Sequence, residues 1–140
     1  MDYSITDLVT RIITDGKTVD FADGDLTSEI IKCAFEVYNS LGYGLPERIY
    51  QKAMATALSH RNIKFKRENC GKVEFEGEVI SRYFLDFLVE ERVAVEFKVR
   101  NEIYQKDINQ LLNYLKMKKI KVGLLLIISK KGVLIRRVVN

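Results

Sequence analysis

The sequence predicts an α/β fold: a mixed β-sheet flanked by helices. Up to about residue 60, apolar residues recur at helical spacing. From Ile63 to Arg100 they alternate with polar ones. Helical spacing then returns over Ile103–Lys118 and leads into the unbroken apolar run Val122–Ile128. Helices on both sides of a strand block, each with one apolar stripe to bury, cover the faces of a single sheet. At 140 residues the chain is one domain in size.

Each element has its own local signal. Ile5, Leu8, Val9, Ile12 and Ile13 share one face of a short helix that Gly16 stops. Thr18–Asp25 reads as a turn-rich linker, so residues 1–24 form a helical leader and linker ahead of a domain over residues 25–140. Thr27 or Ser28 is placed to cap the next helix, whose apolar face carries Ile30, Ala34, Val37 and Leu41. Gly42 and Gly44 break it. Pro46 suits the first position of a further helix that ends near Arg61. Ile63–Lys66 and Val73–Glu76 alternate as strands, with a turn at Gly77. Arg82–Glu90 and Arg92–Arg100 read as two more strands joined by a tight charged turn. Val122–Ile128 has the continuous apolar character of a strand covered on both faces. Ser129-Lys-Lys-Gly is a turn, and Val133–Val139 is the last strand.

Composition narrows the function class. Hydrophobic residues are 47% and charged residues 30%, as in a soluble globular protein. No apolar run reaches the roughly 18–20 residues of a membrane helix. The start lacks the basic region and apolar core of a secretory signal, and the two cysteines, Cys33 and Cys70, make neither a disulfide framework nor a zinc motif. A cytoplasmic location is expected, with both thiols buried. The net charge of +4 is uneven: residues 1–24 carry five acids and two bases, residues 25–100 twelve of each, and residues 101–140 nine bases and two acids. The basic carboxy-terminal third suits a phosphate backbone. The acidic leader suits a cover over it, or self-association into a homo-oligomer.

The chemistry concentrates in one hairpin. Placing Tyr83, Leu85, Phe87 and Val89 on the same side as Val93, Val95, Phe97 and Val99 sets the parity of the pairing. A three-residue loop, Glu90-Glu91-Arg92, pairs Val89 with Val93, Phe87 with Val95 and Leu85 with Phe97. Asp86 then faces Glu96, with Lys98 two residues on along the same face. Opposed carboxylates repel, and a divalent cation offsets them. Mg²⁺ prefers oxygen ligands, here one acid from each strand and a backbone carbonyl near Phe97. Such an ion activates water and stabilises charge on a phosphoryl oxygen, while Lys98 can orient the water or balance the developing negative charge. The competing reading is a solvated strand face. Glu47 and Tyr50 share a face at a helix start, and Gln110 and Tyr114 share one on the later helix.

Together these pieces resemble the GxxExxY protein family of the PD-(D/E)XK nuclease-like superfamily. The resemblance runs from about Leu26 to about Val138. It is carried by Ala34-Phe-Glu-Val-Tyr-Asn-Ser-Leu-Gly, by Gly44-x-x-Glu47-x-x-Tyr50, by Asp86-Phe-Leu-Val-Glu, by Val95-Glu96-Phe-Lys98, by Gln110-Leu-Leu-Asn-Tyr114-Leu and by Val122-Gly-Leu-Leu-Leu. It implies a restriction-endonuclease-like core. It also implies that Asp86, Glu96 and Glu47 are metal ligands, that Lys98 is the catalytic lysine, and that Mg²⁺, with Mn²⁺ as a substitute, is the cofactor. Gln110, Tyr114 and Tyr50 would be substrate-side residues, with nucleic acid, DNA first, as the partner. The chain departs from the family at Tyr38, commonly His, at Tyr43, commonly Pro, and at Phe84, often Arg. It also lacks the Asn-Phe-Gly that usually follows the Val122 segment. Two functions stay open: a Mg²⁺-dependent nuclease cutting DNA phosphodiester bonds, or a catalytically silent nuclease-like module that binds nucleic acid or protein. His60 reads as a charge at a helix end, and Glu36 as a surface residue or a second supporting acid.

Overall fold

A computed structural model describes residues 24–140. The leader helix and most of the linker lie outside the described residues, as do the side chains of residues 68–70. Three helices and five strands are found among the described residues: α1 (Gly24–Leu41), α2 (Glu47–His60), β1 (Phe65–Phe75), β2 (Glu78–Val89), β3 (Val93–Val99), α3 (Gln105–Lys118), β4 (Val122–Ser129) and β5 (Gly132–Val139). The strands form one sheet in chain order. All neighbours are antiparallel except β3 and β4, which run parallel. A parallel pair needs a crossover, and α3 supplies it.

Helices cover both faces. On one side α1 and α2 bury Ile30, Ile31, Ala34, Val37, Met54 and Leu58 against Phe87, Val89, Val95, Phe97, Leu124 and Leu126. On the other, Leu111, Tyr114 and Leu115 of α3 pack on Leu88, Ala94, Leu125 and Ile127. Every residue of β4 is buried, as an apolar run on a doubly covered strand requires. Gly123 is the point of closest approach. A Cβ there would stand 3.1 Å from the Leu111 side chain, so its absence lets α3 lie low on the sheet. Among the described residues no helix is long and apolar enough to cross a membrane.

Several boundaries differ from the sequence reading. Gly24 is already helical, so neither Thr27 nor Ser28 is the cap of α1; Thr27 Oγ1 instead donates to the Gly24 carbonyl at 3.0 Å. Its end is as read, with Gly42 at φ +67° and its N–H on the Tyr38 carbonyl. Pro46 occupies the N-cap, with extended ψ, and not the first helical position. The two short strands around residues 63–76 are one strand, β1, because Gly71 lies buried beneath α3 and the chain passes it without a turn. Cys33 is fully buried, and burial pushes its thiol up to about 11. His60 is exposed at the last position of α2. Glu36 is a surface residue paired with Arg61, away from the hairpin.

Replacing Gly123 by Val drives a side chain into Leu111. It should lower stability by about 2–3 kcal/mol in urea unfolding, without changing the secondary structure seen by circular dichroism.

Candidate active site

The β2–β3 ladder is short. It pairs Val89 with Val93, Leu88 with Ala94 and Phe87 with Val95, and ends there. The loop register read from the sequence therefore holds for its first pairs, but Leu85 does not pair with Phe97. The facing also changes. Phe87 and Val89 belong to the α1/α2 side, whereas Leu85 joins Leu88 and Ala94 on the α3 side. Tyr83, Leu85, Phe87 and Val89 thus do not share a face. The alternation breaks between Leu85 and Phe87, at Asp86.

The break has a local cause. The Phe97 N–H, which an uninterrupted ladder would give to a β2 carbonyl, donates instead to Asp86 Oδ2 at 2.7 Å. The other carboxylate oxygen, Oδ1, accepts from Gln51 Nε2 at 2.9 Å. Asp86 is thus held from two directions, by the backbone of β3 and by the side chain of α2, at the fork where β2 leaves β3. Gln51 lies one turn beyond Glu47, and the two amide and carboxylate groups meet at 3.5 Å.

Three acids and one lysine converge at this fork. The Glu96 and Asp86 carboxyl groups lie within hydrogen-bonding reach of each other. Burial pushes the Glu96 carboxyl up to about 9; the negative charge of Asp86 and the hydrogen bond to it add to the rise, and Lys98 opposes it. Glu96 therefore holds its proton more tightly than an ordinary glutamate. Glu47 comes from α2, across the sheet. Its carboxylate accepts the Val99 N–H, and its pKa is raised by burial and by Asp86 against the pull of Lys98.

The α3 side forms the wall. Glu96, Gln110, Leu111 and Tyr114 line a small recess with Tyr83, Phe84 and Leu85. Gln110 is exposed, while Tyr114 is buried beneath it. The helix is fixed at its start by Asp107, which is 5% exposed and accepts from Arg100 at 2.6 Å. Arg100 also stacks on the Tyr104 ring, 4.7 Å from its centre. Asp107, Gln110 and Tyr114 are three and four residues apart, so this anchor sets the face that α3 turns to Glu96.

Tyr50 is not at the fork surface. It is fully buried, its hydroxyl donates to the Gly42 carbonyl at 2.6 Å and it accepts the Leu45 N–H at 3.2 Å. It ties down the loop that leads into α2 and so places Glu47. The substrate-side role read for it gives way to this structural one. Sequence reasoning missed Gln51, Arg100 and Asp107. The spacing of Gln51 from Glu47, four residues on one helix, was the available signal for the first.

A profile of the PD-(D/E)XK nuclease superfamily matches residues 24–138. The chain belongs to that superfamily. This PD-(D/E)XK domain is also similar in fold to a solved structure titled "Crystal structure of SSO0001", with a TM-score of 0.53 at 16% identity. The similarity covers 97% of this chain and 65% of that one, so the domain spans just under two thirds of that protein's length. Among curated proteins none matches. The mixed sheet with helices on both faces is the restriction-endonuclease-like arrangement expected from the sequence.

The donor set at the fork is all oxygen, hard and acidic, without histidine or thiolate, and suits Mg²⁺. Among the described residues no three acidic, histidine or cysteine side chains yet stand around one point in ligating geometry. The close pair, Asp86 and Glu96, sets two like charges side by side. A proton and a divalent cation are alternative ways to offset two half-buried like charges.

Two outcomes follow. Because the Glu96 pKa is higher folded than unfolded, its contribution to stability is full below about pH 4.5 and is lost as pH rises toward 9. Without metal, Glu96→Gln should flatten that pH dependence and raise stability at pH 8 by about 1–3 kcal/mol in denaturant melts. Tyr50→Phe should lower stability by about 1–2 kcal/mol through loss of the two loop hydrogen bonds, measured the same way.

Proposed function

We propose that this domain is a Mg²⁺-dependent nuclease that hydrolyses DNA phosphodiester bonds, of the GxxExxY kind, acting in the cytoplasm. The observation that carries the reading is the half-buried Asp86–Glu96 pair with Lys98 beside it, on a fold whose superfamily is nucleolytic. Asp86 and Glu96, with Glu47 from α2, would hold the cation, and Mn²⁺ would substitute. When bound, such an ion places positive charge against the phosphoryl oxygens and makes water a better nucleophile.

The chain's own groups do the positioning. Gln51 and the Phe97 N–H keep the Asp86 carboxylate in one orientation. The Val99 N–H does the same for Glu47. Lys98 offers an ammonium that can bind a non-bridging phosphate oxygen and balance the charge that builds up during attack. Gln110, exposed on the first turns of α3, is placed to contact the nucleic acid, with Tyr114 supporting it from below. Lys106 and Arg100 flank the Tyr104 ring at the start of the same helix, and Lys130 and Lys131 lie in the β4–β5 turn. Lys130 joins that end of the helix through its N–H on Asn101. These bases suit the backbone of the bound strand. With Phe84 exposed where an arginine often stands in the resembled family, phosphate grip rests on Lys98 and this carboxy-terminal set.

The purified chain should cut DNA in the presence of Mg²⁺ or Mn²⁺. Asp86→Ala and Lys98→Ala should each lower the rate by at least about a hundredfold while circular dichroism shows the fold intact. Activity surviving both substitutions rejects the assignment. Salt-dependent DNA binding with no turnover under any divalent metal marks the silent binding module instead.

A further inference from the structure

We infer that the face of the β1–β2 ribbon beside the fork binds single-stranded DNA: Phe84 stacks on an unpaired base, and Lys72 with Arg82 holds a phosphate next to it. The domain therefore favours DNA with a single-stranded stretch near the cut over continuous duplex. The inference rests on the proposed function only in taking DNA as the partner.

The register places these three side chains together. From Asp86 outward β2 has left β3, so β1 and β2 continue as a two-stranded ribbon. Tyr83 pairs with Gly71, where a Cβ would meet Met117 and Tyr114 of α3, and Leu85 belongs to the α3-side core. Phe84 and Arg82 alternate with Tyr83 and Leu85, so they point to the opposite face. Lys72 pairs with Arg82 and shares that face. The bulge lies further out, between Val73 and Glu74, and leaves this stretch in register. Elsewhere on the sheet α1 and α2 cover this face, but they stop short of Phe84. It is 65% accessible, and Lys72 and Arg82 are exposed. Phe84 also borders the recess lined by Glu96 and Gln110, and it stands two residues, roughly 7 Å of strand, from Asp86.

Two features select the ligand. Lys72 and Arg82 are like charges directly opposite on two strands, an unfavourable pair. Among the described residues neither has a carboxylate within ion-pair distance. A phosphate lying over both offsets their repulsion. An exposed ring stacks on any base whose face is free, and bases inside a duplex already stack on one another. An aromatic platform beside two cations therefore takes a single strand. The patch is bounded on its outer side. Phe75 and Ile80, nearer the tip, are 63% and 64% accessible, but Glu74, Glu76 and Glu78 stand among them in the chain and repel a polyanion. The contact is confined to the root of the ribbon, next to the acids of the fork.

Fluorescence anisotropy of the full chain tests it, in EDTA and low salt, with a labelled single strand of about 16 nucleotides and the matching duplex. Binding is then read without turnover. The single strand should bind at least about fivefold more tightly than the duplex. Phe84→Ala should weaken single-strand binding about tenfold and leave duplex binding unchanged, while Phe84→Tyr keeps the affinity. Lys72→Gln combined with Arg82→Gln should lower the slope of log K against log salt by roughly 0.7–1.4, the loss of one or two phosphate contacts. A chain that binds no single strand, or that prefers duplex, overturns the inference. So does a Phe84→Ala variant, folded by circular dichroism, that binds the single strand as the wild type does, or a salt slope indifferent to the double variant. Single-strand binding that Phe84→Ala weakens, in a chain that cuts nothing with Mg²⁺ or Mn²⁺, rejects the nuclease and keeps this surface. Cleavage by a chain that binds both forms of DNA alike does the reverse.

Discussion

Two half-buried carboxyl groups next to each other need a positive partner or a proton, and the architecture around Asp86 and Glu96 is built on that need. β2 pairs with β3 only from Phe87 onward, one residue past Asp86, and the freed Phe97 N–H is spent on the Asp86 carboxylate. α2 reaches across with Gln51 and Glu47. Lys98 lowers what burial raises on both glutamates. Burial and Asp86 raise the Glu96 pKa, which favours a proton there over a bare charge. A proton is replaceable, and a cation offsets the same repulsion.

The remaining elements position this fork. Tyr50 and Gly42 fix the loop before α2, so Glu47 starts the helix at the height of Val99. The Arg100–Asp107 pair does the same for α3, and Gly123 lets that helix settle against the sheet. These contacts lie outside the acidic cluster, yet each sets the distance between a helix face and β3. The parallel β3–β4 pair then places α3 over the α3-side face, where Glu96 projects.

Much of this was legible in the sequence, for physical reasons. Helical and strand periodicities report which face is buried, and every core helix and strand was found from them. The hairpin loop and the parity of Val93, Val95 and Phe97 were correct because three odd-numbered apolar residues on β3 permit only one facing. The same logic failed on β2. Leu85 is apolar and in phase with Phe87, and nothing in its type says that the strand turns over between them. A carboxylate that captures a backbone N–H is a tertiary event, invisible to alternation. Merging the two short strands into β1 was hidden similarly, since the apolar alternation lapses between Lys66 and Val73 while α3 covers Gly71. Gln51 was missed because a glutamine on a helix surface carries no signal until the strand beneath it is known.

The central claim is that the Asp86–Glu96 pair exchanges its proton for a divalent cation. Titrating Mn²⁺ into the metal-free protein at pH 7.5, in two buffers of different ionisation enthalpy, measures the binding and the protons released together. The account predicts one site that releases about one proton and is lost in Asp86→Ala. Absence of binding at millimolar Mn²⁺, or binding that is unchanged by Asp86→Ala, would contradict it.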